Sequence, residues 1–329
     1  MTIGMTYDLR SDYLAEGFSL EETAEFDRDE TIRALQDALD GLGYRTQRIG
    51  NIRSLARRLA AGDRWDLVFN VCEGLYGSAR ESQAPALLDA YNVPYTMSDP
   101  MVLTLTLHKG LAKLVVREAG IPTADFAVVN EQADAARVSL PFPLFAKPAC
   151  EGTGKGIDGR SRVESEAALG QLCSDLLERY RQPVLVETYL PGREFTVGIA
   201  GNGSGARVLG SMEVIFHAVD EGEIYGYLNK EESEERMSYL PGTDAAARSA
   251  EDVALRSYRA LGCRDVSRVD IRFDAGGTPC FMEVNPLPGL HPDHSDLPML
   301  CRYQSIDYQR LIGIVVEEAM TRLGMSTHR

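Results

Sequence analysis

Three oxygen-bearing side chains near the carboxyl end of the chain could together hold a metal ion. Asp270 lies in one apolar run, Glu283 and Asn285 lie in the next, and a loop containing Gly276 and Gly277 separates the two runs. Such runs joined by a glycine-containing loop predict a β-hairpin. Carboxylate and amide oxygens gathered on one face of that hairpin would suit Mg²⁺. A hairpin face with hydrated, exposed charges is the alternative.

The alternation of side chains along a strand fixes which residues share a face of the hairpin. A four-residue loop over 274–277 would place Arg268 opposite Glu283, with the carboxylate of Asp270 beside them. Met282 and Val284 would then lie on the other, apolar face. The pattern therefore predicts a hairpin with one charged and one buried face.

Composition limits the kinds of partner that the protein can have. The 329 residues carry 34 Lys and Arg against 49 Asp and Glu, a net charge of −15, so a nucleic acid or an anionic membrane is an unfavourable partner. No apolar run approaches the ~20 residues that span a bilayer, and no signal peptide is evident, so we expect a cytoplasmic protein. Six scattered cysteines fit reduced thiols packed in a core.

Residues 1–98 alternate strand and helix patterns, which predicts a small parallel βαβ domain. Helices are expected from about Asp29 to Leu42 and around Ile52 to Ala61, and the segment ending "VPYT" is expected to form a helix and a further strand. Ligands of such sheets bind at the carboxyl ends of the strands. The polar residues expected there are Asp8, Asn70 and Glu73.

Two further units follow, over 99–190 and 191–329. The first opens with one helix over about 103–120 and contains a glycine-rich loop and a helix near 164–181. The second contains strands around 206–228, then a charged loop and a long helix before the hairpin, and it ends with a helix from about Ile306.

The segment "FAKPACEGTGKGI" places Lys147 at the end of an apolar strand, just before a loop with three glycines. Bare backbone N–H groups and a lysine are suited to gripping phosphates. The spacing is not that of a P-loop, because Gly156 follows the "GTGK" run where Ser or Thr would be required. An ordinary flexible loop is the alternative interpretation.

A second segment, "VLVETYLPGREF", could hold the rest of a nucleotide. The backbone of residues 187–190 could bind an adenine edge, and a carboxylate just beyond could take the ribose hydroxyls. A surface turn with exposed glutamates is the alternative. Lys109, on a predicted helix, and Lys230, in a glutamate-rich loop, are either phosphate ligands or solvated lysines.

Taken in order, these segments resemble a known family. The sequence runs "HK", "PLFAKPACEGTGKGI", "VLVETYLPGREFTVGI", "NKEESEE", "RVDIRFD" and "FMEVNPLPGL". This order is similar to that of the ATP-grasp carboxylate-amine ligases, most closely the D-alanyl-D-alanine ligase family, over about residues 66–312. The resemblance implies an α/β (α+β ATP-grasp) fold in which the N-terminal parallel βαβ domain precedes a two-lobed ATP-grasp domain.

The resemblance also implies a role for each matching residue. The phosphate ligands would be Lys109, Lys147 and Lys230, under a glycine-rich cover that includes Gly152, Thr153 and Gly154. Glu187 to Leu190 would hold adenine and Glu194 the ribose. Asp270, Glu283 and Asn285 would bind two Mg²⁺ ions, for which Mn²⁺ could substitute. Arg268 and the backbone N–H of Gly289 would stabilise the acyl phosphate and the oxyanion.

Departures from the family pattern gather where its first substrate binds. The glycine-rich opening and its substrate-anchoring Glu are missing, and Glu73 stands where the family has a histidine. The paired serines of the glycine-rich loop are replaced by Thr153 and Gly154, and the tyrosine after the mobile-loop lysine is Glu231. The extra charges suggest a substrate that is larger or more polar than alanine.

The segment "LHPDHSDLP" lies where the acceptor would bind. His294 or Ser295 could hold the carboxylate of the acceptor, or His294 could be a loop or helix-cap residue. Extra charge from Arg10, Arg80 and Glu81 lies elsewhere in the expected substrate region.

These features predict an ATP- and magnesium-dependent ligase that forms a C–N bond between amino acids or amino-acid-like molecules through an acyl phosphate. A small-molecule kinase of the same fold and a non-catalytic nucleotide-binding protein are the alternatives. We expect small-molecule substrates, no nucleic-acid or membrane partner, and a homodimer as the candidate assembly. The identity and stereochemistry of the acid and the amine stay open.

Overall fold

A computed structural model describes residues 1–216 and 237–325. Its strands form three sheets, and the six cysteines are free and buried, as expected from the sequence. Within the described ranges, no helix has both the length and the apolar character needed to cross a bilayer.

The first sheet is entirely parallel, as predicted, and its strand order is β2-β1-β3. Its strands are β1 (Thr2–Tyr7), β2 (Arg45–Gly50) and β3 (Leu67–Val71). Its helices are α1 (Arg10–Ala15), α2 (Asp29–Gly41), α3 (Ile52–Ala60) and α4 (Gln83–Ala90), the last preceded by a 3₁₀ turn (Arg80–Ser82). The strand expected after α4 is reduced to a single bridge from Tyr95 to Val68.

The helix predicted over 103–120 is two helices, α5 (Pro100–Leu107) and α6 (Lys109–Glu118). His108 interrupts it with extended backbone, and its side chain accepts a hydrogen bond from the N–H of Leu111, as an N-cap residue does. The N–H of Lys109 donates instead to the carbonyl of Ala149 at 3.0 Å. The break therefore ties the start of α6 to the glycine-rich loop.

The second sheet is antiparallel with order β4-β7-β5-β6. Its strands are β4 (Phe126–Val129), β5 (Leu144–Pro148), β6 (Arg162–Val163) and β7 (Val184–Thr188). The helices α7 (Gln132–Ala135) and α8 (Glu166–Tyr180) belong to this unit. Leu169, Leu172 and Cys173 of α8 pack on Val184 and Val186, which gives this sheet its own core.

The third sheet is also antiparallel, with order β10-β9-β8-β11-β12. Its strands are β8 (Glu194–Ala200), β9 (Arg207–Phe216), β10 (Met237–Pro241), β11 (Val266–Phe273) and β12 (Pro279–Asn285). A 3₁₀ turn (Gly203–Gly205) and the helices α9 (Ala245–Leu261), α10 (Asp296–Tyr303) and α11 (Tyr308–Arg322) complete it.

Two details of this unit differ from the sequence prediction. "MSYLP" was expected within a charged loop, but it forms β10 because it pairs with β9. The helix α10 was not predicted, because its short apolar pattern follows directly on a loop rich in proline and histidine.

Shared cores connect the third sheet to the first sheet and to the helices α5 and α6. Val102, Ala112 and Val116 of α5 and α6 pack against the third sheet, although they precede the second sheet in the sequence. Leu311 and Val315 of α11 share another core with the first sheet and α2. The helix α11 therefore packs on the first sheet and α2.

A buried ion pair between Asp265 and Arg322 holds the end of α11 in place. The Asp265 side chain is fully buried and accepts hydrogen bonds from the Arg322 guanidinium at 2.9 and 3.0 Å and from the N–H of Met97 at 2.8 Å. Arg322 also donates to the carbonyl of Tyr95 at 2.9 Å.

We expect Arg322→Met to lower the free energy of unfolding by about 3–5 kcal/mol, because it leaves the Asp265 carboxylate buried without its cation. Urea unfolding at pH 7 would measure the loss. Arg310→Met is the matched control on the same helix, because its ion pair with Glu317 is exposed and should contribute at most ~1 kcal/mol. Equal losses in the two variants would contradict this interpretation.

Candidate active site

A cleft of about 310 Å³ opens where the three sheets meet. The predicted site residues that line it from the first two units are Glu73, Lys109, Gly152 and Thr153. Those that line it from the third are Arg268, Glu283, Asn285, Gly289, His294 and Ser295. Lys147, Glu187 and Asp270 reach these residues through ion pairs, whereas Lys230 lies outside the described residues.

The hairpin formed by β11 and β12 carries the predicted metal ligands, but its register differs from the prediction. Arg268 pairs with Asn285, and Asp270 pairs with Glu283. The loop is one residue longer than expected, because the N–H of Asp274 donates to the carbonyl of Thr278, and a bulge at Met282 shifts the register again. The two carboxylates are thus direct cross-strand neighbours, which the simple hairpin count did not give.

The bulge also changes the position of Met282. Val284 lies in the buried core, as predicted, whereas Met282 packs with Ala124, Leu190 and Cys280 in a separate small cluster. The sequence prediction that Met282 and Val284 share one face is therefore wrong, because strict alternation fails at a bulge.

Each candidate metal ligand already has a polar neighbour from the chain. Asp270 accepts from the hydroxyl of Thr196 at 2.7 Å and pairs with Arg268 at 3.0 Å, and Asn285 Oδ1 accepts from the N–H of Leu287 at 3.2 Å. Among the described residues, no cluster of three His, Cys, Asp or Glu side chains could hold a metal. The candidate set is instead two carboxylates and one amide, an all-oxygen set that fits Mg²⁺.

Glu283 lies between two lysines. Its carboxylate is 3.5 Å from the Nζ of Lys109 and 3.9 Å from the Nζ of Lys147. Burial alone would raise the pKa of Glu283, but these lysines and Arg268 lower it to about 2. Glu283 is therefore held as a carboxylate, which is the form that a metal ligand needs.

The ion pairs continue behind Glu283 to a lysine that the sequence analysis did not single out. Lys147 pairs with Glu187 at 3.2 Å, and Glu187 pairs with the fully buried Lys113 at 2.8 Å. The Nζ of Lys113 also donates to the hydroxyl of Thr123 at 2.7 Å. Burial opposes the charge of Glu187, but the two lysines lower its pKa to about 2. The spacing of Lys109 and Lys113, one helical turn apart, was the available signal.

The glycine-rich loop is held by acidic groups. The N–H of Gly152 donates to Glu25 at 2.6 Å, and Lys155 pairs with Glu151 at 3.0 Å. Arg80 pairs with Glu25 at 2.9 Å and donates to the carbonyl of Cys150 at 2.8 Å. A segment of the first unit therefore anchors the loop of the second.

Three residues of this loop have left-handed backbone. Thr153 has φ of 50°, Gly154 has φ of 73° and Gly156 has φ of 72°, a conformation that opens backbone N–H groups to one side. The hydroxyl oxygen of Thr153 is buried and makes no hydrogen bond among the residues that the structure describes. A partner for this oxygen would have to come from a ligand or solvent.

The predicted nucleotide hinge begins at the end of β7. The N–H groups of Thr188 and Tyr189 donate to the carbonyls of Asp125 and Pro143, and Leu190 is buried. Glu194 pairs with Arg272 at 3.2 Å. Burial is the main reason that the pKa of Glu194 rises to about 7, since Arg272 opposes the rise only in part.

Arg268 lies at the other end of the cleft, between two carboxylates. It pairs with Asp270 and, at 2.5 Å, with Asp296, while its Nε makes no hydrogen bond within the described chain. Burial by itself would lower the pKa of Arg268, but the two carboxylates raise it, so the guanidinium stays charged. Asp296, at the start of α10, was not predicted as a site residue because that helix was missed.

The segment before α10 brings three predicted residues together. The Oγ of Ser295 accepts from the N–H of His291 at 2.9 Å, and a Cβ on Gly289 would come within 2.8 Å of that Oγ. The ring of His294 lies 4.7 Å from that of His291. Gly289 and Ser295 are thus packed together, while His294 faces the cleft from the loop.

Comparison with known proteins identifies relatives of this chain. Residues 115–317 match the family model described as the D-ala D-ala ligase C-terminus. The D-alanine–D-alanine ligase of Bordetella petrii is 34% identical over 281 residues, which are 82% of this chain and 80% of that protein. That of Bartonella henselae is 30% identical over 312 residues, 93% of this chain and 96% of that protein.

Solved structures share the fold. The D-alanine–D-alanine ligase of Bacillus anthracis, crystallised with ATP, aligns with a TM-score of 0.74 at 21% identity, covering 98% of this chain and 97% of that one. The VanG D-Ala:D-Ser ligase of Enterococcus faecalis aligns with a TM-score of 0.74 at 19% identity, covering 97% and 99%.

The fold and the matched sequence define an ATP-grasp ligase. The chain belongs to the D-alanine–D-alanine ligase family. The predicted fold class and the prediction of an ATP-dependent ligase that forms C–N bonds are therefore confirmed.

We expect Glu81→Gln to stabilise the protein at pH 8 but not at pH 5. Burial, only partly opposed by Arg80, raises the pKa of Glu81 from 4.5 to about 7. The stability that this raised pKa gives is complete below about pH 4.5 and is lost as the pH rises through 7. Glutamine does not ionise, so the variant should gain up to about 3 kcal/mol at pH 8 relative to the wild type.

Urea unfolding of both proteins at pH 5 and pH 8 measures this difference. Glu118→Gln, an exposed carboxylate at the end of α6, is the control and should change little at either pH. A Glu81→Gln effect of equal size at both pH values would refute the assignment of a raised pKa.

Proposed function

We propose that this chain joins the carboxylate of one amino-acid-like substrate to the amine of a second, using ATP to activate the first as an acyl phosphate. The main support is the convergence of Lys109, Lys147 and Arg268 on one cleft that also holds Glu283. Phosphoryl transfer and the later tetrahedral oxyanion both develop negative charge, which fixed cations and backbone donors stabilise most effectively.

The nucleotide would lie between the second and third sheets. Lys109 and Lys147 are within 4 Å of Glu283 and would turn to the phosphates, under the loop that includes Gly152, Thr153 and Gly154. The orphaned hydroxyl of Thr153 supports this placement. The proposal further assigns adenine to the segment from Glu187 to Leu190 and the ribose to Glu194, with Lys230 as a further phosphate ligand.

The metal would be held by Asp270, Glu283 and Asn285, whose oxygens share one face of the hairpin. We propose two Mg²⁺ ions with Mn²⁺ as a substitute. Bound there, such ions would neutralise phosphate charge and orient the phosphoryl group. The chain's own contribution is to keep Glu283 ionised by means of the two neighbouring lysines.

Arg268 and Gly289 are proposed to act on the reacting carbonyl. The guanidinium has an Nε without a partner in the described chain, and Asp270 and Asp296 hold it in place. The N–H of Gly289 lies in the same cleft wall and would supply a neutral donor. Positive charge fixed before the reaction needs no reorganisation when the oxyanion forms.

The substrates would occupy the remainder of the cleft. We propose Glu73 as a contact of the first substrate and His294 or Ser295 as contacts of the acceptor carboxylate, because all three line the cleft. The proposal also divides the chain into a domain over 1–98 and two ATP-grasp lobes over 99–190 and 191–329. A homodimer and a cytoplasmic location stay predictions.

The first test is phosphate release from ATP and Mg²⁺ with D- and L-amino acids, supplied singly and in pairs, with the product masses recorded. We expect turnover that requires an acid and an amine and yields a condensed product. Glu283→Ala should abolish turnover, because it removes a ligand of the metal and a partner of both lysines. Circular dichroism checks that the variant is folded.

The outcomes of this test differ in kind. Formation of ADP together with a phosphorylated single substrate would contradict the ligase function and indicate a kinase. Activity retained by a folded Glu283→Ala protein would refute the metal assignment.

A second test separates Arg268 from the nucleotide site. We expect Arg268→Met to reduce ligation on the order of 10²–10³-fold while ATP affinity changes only a few-fold, since its proposed role is at the oxyanion. Arg272→Met is the matched control on the same strand face, and it should mainly weaken ATP binding because Arg272 pairs with Glu194.

Nucleotide affinity from calorimetry and single-turnover rates would measure the two effects. A parallel loss of affinity and rate in Arg268→Met would contradict the proposed role and favour a structural pairing with Asp270 and Asp296.

A further inference from the structure

The end of the cleft formed by the first unit is rich in carboxyl groups, and Arg10 also lines it. Asp27, Glu73 and Glu81 all line it, and none of the three forms an ion pair with another described residue. The neighbouring acids differ, since Glu25 pairs with Arg80 and Glu151 pairs with Lys155. These three residues are called the carboxyl cluster below.

Glu81 shows the mismatch most clearly. It is only 9% exposed, it faces the cleft, and within the described part of the chain it makes no hydrogen bond or ion pair. A buried charge without a partner is strongly unfavourable. The adjacent Arg80 does not resolve the mismatch, because its guanidinium is bound to Glu25 and to the carbonyl of Cys150.

The backbone holds the cluster in place. Gly74 has φ of 71°, and a Cβ there would come within 2.5 Å of the carbonyl oxygen of Arg80. The residues that follow β3 and the 3₁₀ turn that carries Glu81 are therefore packed directly against each other. Asp27 joins them from the segment before α2, which bridges to Leu9. The three carboxyls approach the cleft from different segments, as a built subsite would.

We propose that the carboxyl cluster binds a cationic group on the side chain of an amino-acid-like substrate, so that the enzyme uses a diamino acid or a similar amine-bearing acid in preference to alanine. This inference rests on the proposed ligase function and adds a substrate class to it. An ammonium has three donors and no acceptor, which matches a group of carboxylates without donors of their own.

The ionisation of the cluster agrees with this assignment. Burial is the main cause that raises the pKa of Asp27 to about 7, with Asp8 adding repulsion and Arg10 opposing the rise. Burial likewise raises the pKa of Glu73 well above its usual range, with Glu81 and Glu25 adding repulsion and Arg80 opposing the rise. The pKa of Glu81 is also raised to about 7, by burial and by repulsion from Glu25 and Glu151, while Arg80 and Lys109 oppose the rise. A bound ammonium would favour the ionised carboxylates.

The test compares substrates of equal size with and without the charge. Lysine, ornithine and 2,4-diaminobutyrate are measured against norleucine, norvaline and 2-aminobutyrate, which have the same carbon skeletons, and against alanine. Each is supplied in both stereochemical forms, singly and in pairs, with ATP and Mg²⁺. We expect kcat/KM for the best diamino acid to exceed that of its neutral counterpart on the order of a hundredfold, since a buried polar subsite rejects a ligand that leaves it unpaired.

Variants then locate the effect. Glu73→Gln and Glu81→Gln should each lower kcat/KM for the diamino acid at least tenfold and leave ATP affinity within a few-fold, whereas Glu118→Gln should change neither. Glu81→Lys should reverse the preference toward glutamate or aspartate. Calorimetry of lysine and norleucine binding, with Mg²⁺ and a non-hydrolysable ATP analogue, gives a second readout that does not depend on turnover.

The results distinguish this inference from the function beneath it. Condensed products formed equally well from neutral amino acids would overturn the cationic subsite and leave the ligase intact. A phosphorylated product without condensation would overturn the ligase. Binding of norleucine as tight as that of every diamino acid would overturn the subsite even if no substrate in the panel turns over.

Discussion

A row of alternating charges, four of them buried, constrains the whole site. Lys113, Glu187, Lys147, Glu283 and Lys109 are linked in that order by contacts of 2.8 to 3.9 Å. They belong to α6, β7, β5 and β12, so the row joins the second sheet to the third. Because a buried charge is stable only with a partner, no member can be removed without exposing another to that cost.

This row contains three cations and two anions, and that imbalance matters for function. A phosphate that approached Lys109 would compete with Glu283 for the same ammonium, and the carboxylate so released would be available to a divalent cation. The nucleotide would thus free Glu283 to bind the metal, and the metal would free Lys109 to bind the phosphate. The arrangement keeps Lys147, a proposed phosphate ligand, and Glu283, a proposed metal ligand, charged in the absence of ligands.

The sequence predicted the strands and helices of this site better than the register in which the strands pair. Alternation correctly placed Arg268 and Asp270 on one face and Val269 in the core. It failed at Met282, because a bulge depends on tertiary packing that local periodicity does not reveal. The prediction of a single helix over 103–120 failed for a related reason, since the break at His108 is stabilised by a hydrogen bond from the N–H of Lys109 to the carbonyl of the distant Ala149.

The residues missed by the sequence analysis share one property, which is that their role depends on contacts from remote parts of the chain. Lys113 is an unremarkable helix lysine until Glu187, 74 positions away, pairs with it. Asp296 belongs to a helix that was not predicted, and only its ion pair with Arg268 shows that it is part of the site. Ion pairs of this kind leave no periodic signal in the sequence.

The two ends of the cleft are formed by different kinds of structure, which would separate the proposed chemistry from the proposed substrate recognition. The end formed by β11 and β12 carries Arg268, Asp270 and Glu283 on strands of an antiparallel sheet, where small displacements would disturb every pairing. The opposite end is formed by the loops of the first unit, which tolerate substitution more readily. Those loops are not independent of the nucleotide side, because Glu25 holds the N–H of Gly152 in the glycine-rich loop. A substrate bound among the carboxyls of the first unit would therefore act on the same segment that would cover the phosphates, so recognition of the substrate and closure over the nucleotide share one physical connection.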